Sequence, residues 1–252
     1  MPPPADPQDT DPAKRKLRIL VIVLIIAFVL WLLVFQVFVI RRVNVSGTTA
    51  EIWKTVANAA GLDHSPFFFF VNENKVREGV ESNRYLIFES MQKIIPGTVN
   101  IKVIQRRPYA FFTHLGVGYV LSKDGMILEK TRELRDGENL MKVIGLALPD
   151  HQSPGTLPAS NNPTQTETML ELFNELAVWQ LAKEIESIDI AESLNLTLLT
   201  IDGYTINLGD ESNLHAKVGT VAAVVSELRR RHMTGGIIEA TRPGEATYRA
   251  EQ

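Results

Sequence analysis

Five histidines, no cysteine and 29 carboxylate side chains are the groups with which this 252-residue chain could do chemistry. Structural and catalytic zinc sites take Cys or His at short spacings, often two ligands on one helical face. His64, His114, His151, His215 and His232 lie far apart and offer no such pair. The lack of cysteine removes thiolate ligands, thiol nucleophiles and disulfides together. Phosphate loops of the GxGxxG or Walker type do not occur, and no serine sits in GxSxG. Asp63, His64 and Ser65 are neighbours, but Pro66 follows them, so they read as a turn; a triad assembles in space and not along the chain. No catalytic residue, metal ligand or cofactor is expected. Arg229, Arg230, Arg231 and His232 close a helix, where cations offset the partial negative charge of the last carbonyls. With 26 basic against 29 acidic residues the net charge is -3, which supplies no global field for nucleic acid.

The elements that must position any site begin with a hydrophobic run. Ile19 to Ile40 reads ILVIVLIIAFVLWLLVFQVFVI, with Gln36 the one side chain that strongly resists lipid. As a helix this run is roughly 33 Å long, against a hydrocarbon core of about 30 Å. A cleaved signal peptide has a shorter apolar region and a small-residue cleavage site, whereas this run exits into Arg41 and Arg42, so it reads as an uncleaved anchor. Lys14, Arg15, Lys16 and Arg18 before the run, against Arg41, Arg42 and Lys54 after it, favour a cytoplasmic N-terminus. The leader, residues 1–18, opens with the polar, Pro/Asp-rich MPPPADPQDTDPA and reads as a disordered tail.

Beyond the anchor, RRVNVSG alternates as a strand that ends at Gly47. Thr48 and Glu51 have capping-box spacing ahead of a stripe of Ile52, Trp53, Val56, Ala57 and Ala60, closed by Gly61. A second short helix is expected over Glu73 to Ser82, capped by Asn72, with Val76 and Val80 one turn apart. RYLIFESMQKII and TVNIKVIQR follow as strands about Pro96 and Gly97. Strand, helix, helix, strand, strand makes one sheet covered on one side. The Phe67 to Phe70 run has two readings, a membrane contact or core filling beneath the two helices, and core filling is the expectation.

The remainder is a second α+β unit. GYVLSKDGMILEK is a hairpin about Lys-Asp-Gly, MKVIGLAL a strand, and residues 149–163 an exposed Pro/Ser/Asn-rich loop. A helix over about Glu167 to Lys183 buries Met169, Leu172, Phe173 and Leu176, and a second helix buries Leu214, Val218, Val221, Val225 and Leu228. Between them lie the strands SIDIAE, LNLTLLTI and GYTINLG. The chain closes on GIIEAT and EATYRA, which as last strands leave one sheet edge to recruit a partner's strand or helix. The alternative is an ordinary edge blunted by Glu239, Glu245 and Arg249.

RRVNVSG, PGTVNIKVIQRRPYAFF, GYVLSKDGMIL and INLGDESNLHAKVGTVAAVV, taken in order, resemble the FtsQ/DivIB family of bacterial cell-division proteins over the anchor and nearly all that follows. Gly209 and Lys217 stand where the family places its LG-(x)-K start of a helix. Four positions depart from its pattern: Gln105 in place of Glu, Ser122 and Lys123 in place of Val-Asp, and Glu239 in place of Asp. The resemblance implies a cytoplasmic tail (1–18), one transmembrane helix (19–40), a POTRA domain of βααββ order (41–113) and a mixed β domain with two helices (114–252). It implies a non-enzymatic scaffold of the divisome at the septum, in the plasma membrane with its C-terminal domain outside the cytoplasm. The implied partners are FtsB/DivIC-like and FtsL-like bitopic proteins and, through them, septal peptidoglycan synthases. Partner capture by strand addition falls on Gly236, Ile237, Ile238, Glu239, Ala240 and Thr241 with Gly244, Glu245, Ala246, Thr247 and Tyr248, where Tyr248 is a candidate aromatic anchor. The POTRA face with Val43, Val45 and the Phe67 loop is implied to recruit other division proteins. Two other classes compete. An envelope hydrolase requires catalytic groups that converge only in space, and an outer-membrane POTRA chaperone requires serial modules and a barrel.

Overall fold

A computed structural model describes residues 12–48, 52–59, 61–62, 67–132 and 140–250. They form two compact units that divide between Gln105 and Arg106.

The first unit opens with α1 (Pro12–Val37), whose stretch Arg15–Leu33 is long and apolar enough to cross a membrane and has none of its surface buried. The apolar run expected to span as far as Ile40 is divided: the helix stops at Val37, and Ile40 is 2% exposed in the core of the domain beyond. Ile40 belongs to the same buried cluster as Val56, Phe68 and Val99, where its side chain is removed from solvent. β1 (Arg42–Ser46), α2 (Ile52–Ala59), α3 (Glu73–Glu81), β2 (Leu86–Ile94) and β3 (Thr98–Gln105) follow in the expected order. The hairpin β2–β3 is antiparallel, from Leu86↔Gln105 to Ile94↔Thr98, and β1 pairs parallel with β3, giving the order β1-β3-β2. Parallel neighbours need a crossover, and α2 with α3 supplies it. Val76 and Val80 are buried, and the Asn72 side chain accepts from the Asn74 amide at 2.8 Å as the cap of α3. The proposed capping partner Glu51, together with Ala60 and the Trp53 side chain, lies outside the described residues.

The aromatic run departs from expectation. Phe68 alone of Phe67 to Phe70 is buried, while Phe69 is 57% and Phe70 82% exposed. The core needs one ring here, because Val71, Leu62 and Ile40 fill the remaining space.

The second unit is a nine-stranded sheet: β4 (Pro108–His114), β5 (Val117–Ser122), β6 (Ile127–Thr131), β7 (Met141–Ile144), β8 (Ile185–Asp189), β9 (Leu196–Thr200), β10 (Tyr204–Gly209), β11 (Gly236–Arg242) and β12 (Glu245–Arg249), in the order β12-β11-β10-β9-β8-β7-β4-β5-β6. The segment 108–113, grouped by sequence with the first unit, pairs here with β5 and β7. Two of the three parallel contacts are made by crossover helices: α4 (Pro163–Val178) joins β7 to β8, and α5 (Leu214–Arg230) joins β10 to β11. Every residue expected to mark their buried faces is buried. Trp179 binds the helices together, its indole donating to the His215 carbonyl at 3.1 Å.

The 149–163 loop is fastened rather than exposed throughout. Gln152 is 1% exposed, accepts from the Ala159 amide at 2.9 Å and donates to the Ala159 carbonyl at 3.0 Å. The loop also lies along the start of β6, with the Ile127 amide donating to Thr156 and the Gly155 amide donating to Ile127, both at 2.8 Å.

Candidate partner-binding edge

The candidate site is built from β10, α5 and the closing ribbon of β11 and β12. Gly209 ends β10 with φ +67, and the chain turns through Asp210 into α5. One turn into that helix, Lys217 is fully buried, and its ammonium donates to the Asp210 carbonyl at 2.9 Å and to Asp210 Oδ1 at 2.6 Å. A buried ammonium is tolerable only when it is paired and hydrogen-bonded, so this contact locks the turn between β10 and α5. The Lys217 hydrogen bond, with those from Ser212, holds the Asp210 carboxyl at about 2, well below its usual range.

Two predictions arise here. Lys217→Ala removes both the buried stem and the ammonium, and it is expected to cost about 2–3 kcal/mol in denaturant titration; Lys217→Met, which keeps the stem while half-exposed Asp210 returns to water, is expected to cost about 1. Equal losses in the two variants would refute packing of the stem as the larger contribution. The second concerns acid. Folding lowers the Asp210 pKa, so the stability it contributes is complete above the unfolded value and is lost as pH falls toward about 2. The native chain should therefore lose Tm more steeply than Asp210→Asn as pH falls from 4 to about 2, and parallel curves would contradict it.

α5 ends in cations that are already matched. Arg229 pairs with Asp202 at 2.6 Å and with Glu184, while Arg230 and Arg231 share Glu227 at 2.7 and 2.6 Å. Hydrogen bonds from Arg230 and Arg231 lower the Glu227 pKa. The helix-capping reading of this cluster therefore describes only part of its role; internal ion pairs do the rest.

Beyond Gly235 the chain enters β11 at Gly236, whose φ of +100 and distance of only 2.6 Å from a hypothetical Cβ to the Arg249 carbonyl oxygen admit no side chain. β11 is parallel to β10 on one flank, Tyr204↔Gly236 to Asn207↔Glu239, and antiparallel to β12 on the other, Ile237↔Arg249 to Arg242↔Glu245. Both flanks of Ile237 to Glu239 are thus occupied, and the register to β12 shifts between Glu239 and Arg242. Ile238 and Ala240 are buried beneath α5, and Glu239 on the opposite face accepts from the Asn207 amide group at 2.9 Å. Gly244 to Tyr248 lie differently. Gly244 is in the turn, and Glu245 to Tyr248 belong to β12, which pairs with β11 alone among the described strands. Along β12, Glu245, Thr247 and Arg249 are exposed while Ala246 and Tyr248 pack against the core.

Tyr248 faces inward. Its ring meets Tyr204 edge-on at 6.3 Å, and its hydroxyl donates to the Gly235 carbonyl at 3.0 Å. It anchors the ribbon to its own domain while staying partly exposed. Val43 and Val45 are likewise half-buried against the core of the first unit. The Glu239–Asn207 bond and the fastening of β6 by the 149–163 loop were not legible in the sequence, because each joins residues remote along the chain with no spacing to mark them.

A membrane-length apolar helix, a small βααββ unit and a sheet closed by an edge ribbon define a membrane-anchored, β-rich protein. The model of the family described as "Cell division protein FtsQ/DivIB, C-terminal" matches residues 112–240, just over half of the chain. The chain belongs to the FtsQ/DivIB family of cell division proteins. It is 21% identical over 219 residues to cell division protein DivIB of Clostridium acetobutylicum, covering 85% of this chain and 84% of that one. DivIB of Clostridium botulinum strain Hall is 20% identical over 249 residues, covering 95% and 94%. The major extracytoplasmic domain of DivIB from Geobacillus stearothermophilus overlays with a TM-score of 0.31 at 16% identity, covering 50% of this chain and 96% of that one; an overlay this loose adds nothing to the assignment.

Proposed function

We propose that this chain is a non-enzymatic scaffold of the division machinery that captures an FtsB/DivIC-like bitopic protein, together with an FtsL-like one, by strand addition to β12. Through them it regulates septal peptidoglycan synthases. The observation that carries this reading is the flank of β12 that meets no other described strand, at one end of the nine-stranded ladder. Main-chain groups on such a flank supply affinity without a pocket, and the exposed Glu245, Thr247 and Arg249 supply polar register. In this reading the part of the first unit beyond α1 acts as the POTRA module, the N-terminus is cytoplasmic and all that follows α1 lies outside at the septum, in keeping with the cations that precede α1. Depletion of the protein in its host, followed by microscopy, tests the role: filaments lacking septa are expected, and cells that divide at normal length would remove it.

A further inference from the structure

α1 hands over to the first domain through only three residues, Phe38, Val39 and Ile40, before the chain reaches the core. Two loops clamp that tether. On one side the Phe68 amide donates to the Phe38 carbonyl at 2.8 Å, and Val39 forms an antiparallel bridge with Phe67. On the other, the Gly97 carbonyl accepts from the amides of Arg41 at 2.8 Å and Arg42 at 3.3 Å. A Cβ on Gly97 would lie 2.4 Å from the Val39 carbonyl oxygen, so glycine is what lets the β2–β3 turn approach.

Both loops carry large apolar side chains that the domain does not cover. Phe69 and Phe70 are 57% and 82% exposed, and Ile94 and Ile95 are 48% and 64% exposed. The aromatic loop is continuous with the end of the helix: Phe35 stacks on Phe67 with centroids 5.0 Å apart, Phe38 meets Phe69 at 5.0 Å, and Phe67 meets Phe70 at 5.3 Å. Exposed Arg41 and Arg42 stand beside them, at the level where lipid phosphates lie when α1 spans the bilayer. Apolar rings and aliphatic tips flanked by cations, set where a membrane helix leaves the hydrocarbon, match the chemistry of the headgroup and acyl boundary.

We infer that Phe69 and Phe70 with Ile94 and Ile95 form a two-sided collar that inserts into the bilayer interface around the exit of α1 and holds the first domain against the membrane in one orientation. The occupant is lipid, because the patch continues the lipid-facing surface of α1 and its neighbouring charge is cationic. The inference rests on α1 crossing the bilayer, and the test separates the two.

The chain has no cysteine, so single substitutions give clean labelling sites in the full-length protein. Ile26→Cys, Phe70→Cys, Ile95→Cys and Glu81→Cys are each labelled with an environment-sensitive dye in nanodiscs of mixed phosphatidylglycerol and phosphatidylethanolamine, and quenched with doxyl lipid. Position 26 reports the span, and Glu81, exposed at the end of α3 beyond the far end of β2, reports water. Loss of most of the emission at 26, 70 and 95, with none at 81, is the expected result. Quenching at 26 with an aqueous signal at 70 or at 95 overturns the collar and leaves the span intact. An unquenched 26 removes the span and the collar with it.

Discussion

Proline placed along β12 should weaken partner capture roughly a hundredfold at alternate positions and unfold the ribbon at the positions between. An antiparallel edge strand directs every second amide toward its neighbour and the others outward. β12 has β11 on one side only, so one set of its amides holds the fold and the other set is what a captured strand would use. At an outward position proline removes one main-chain donor and sets its ring in the path of the incoming strand, which should weaken binding by about 2–3 kcal/mol, roughly a hundredfold in Kd. At an inward position the same residue breaks the ladder to β11. The measurement is a proline scan over Ala246, Thr247 and Tyr248, with circular dichroism for fold and co-purification of the FtsB/DivIC-like protein for capture. If a folded, outward-proline variant still captures its partner at native strength, strand addition is wrong and side chains carry the contact.

Ile238→Lys should cost at least about 4 kcal/mol, a large share of the roughly 5–15 kcal/mol by which such domains are stable. Ile238 is fully buried, faces Tyr248 across the ribbon and lies under α5. Lysine there loses the packing of the isoleucine and brings an ammonium into a buried apolar position, while Glu239 points to the opposite side, toward Asn207. Thr247→Lys, on the exposed face of the edge strand, should stay within about 0.5 kcal/mol. Denaturant titration of the full chain in detergent, read by circular dichroism, distinguishes them. An Ile238→Lys midpoint close to that of Thr247→Lys would show that β11 is not the core strand described. The same contrast makes charge at Ile238 a probe of folding and leaves binding to substitutions on β12.

The elements were legible where one face repeats. Met169, Leu172, Phe173 and Leu176, and likewise Leu214, Val218, Val221, Val225 and Leu228, follow the helical period and are all buried. Val99, Ile101 and Val103 alternate and are buried in the same way, against exposed Lys102. Pairing was less legible, because alternation states which side chains face inward and not which strand lies alongside. Nothing in PYAFFTH marks it for β5 and β7 rather than for the first unit. The edge itself shows the limit: as last strands, GIIEAT and EATYRA look alike, yet the parallel step through α5 inserts the first between β10 and β12 and leaves only the second at the rim. Gln152 and Phe70 were misjudged for a related reason. A polar residue in a loop and a phenylalanine in a run follow composition only until backbone partners or spare core volume are known.

The two rims of the large sheet are unequal: the loop residues Gly155 and Thr156 are stitched to Ile127 at the start of β6, whereas β12 has an open side. Two copies meeting through β12 would close on themselves as a symmetric pair and stop, and a foreign strand seated there would forestall even that pairing. Occupancy of this rim is therefore a choice between self and partner, one guest per chain.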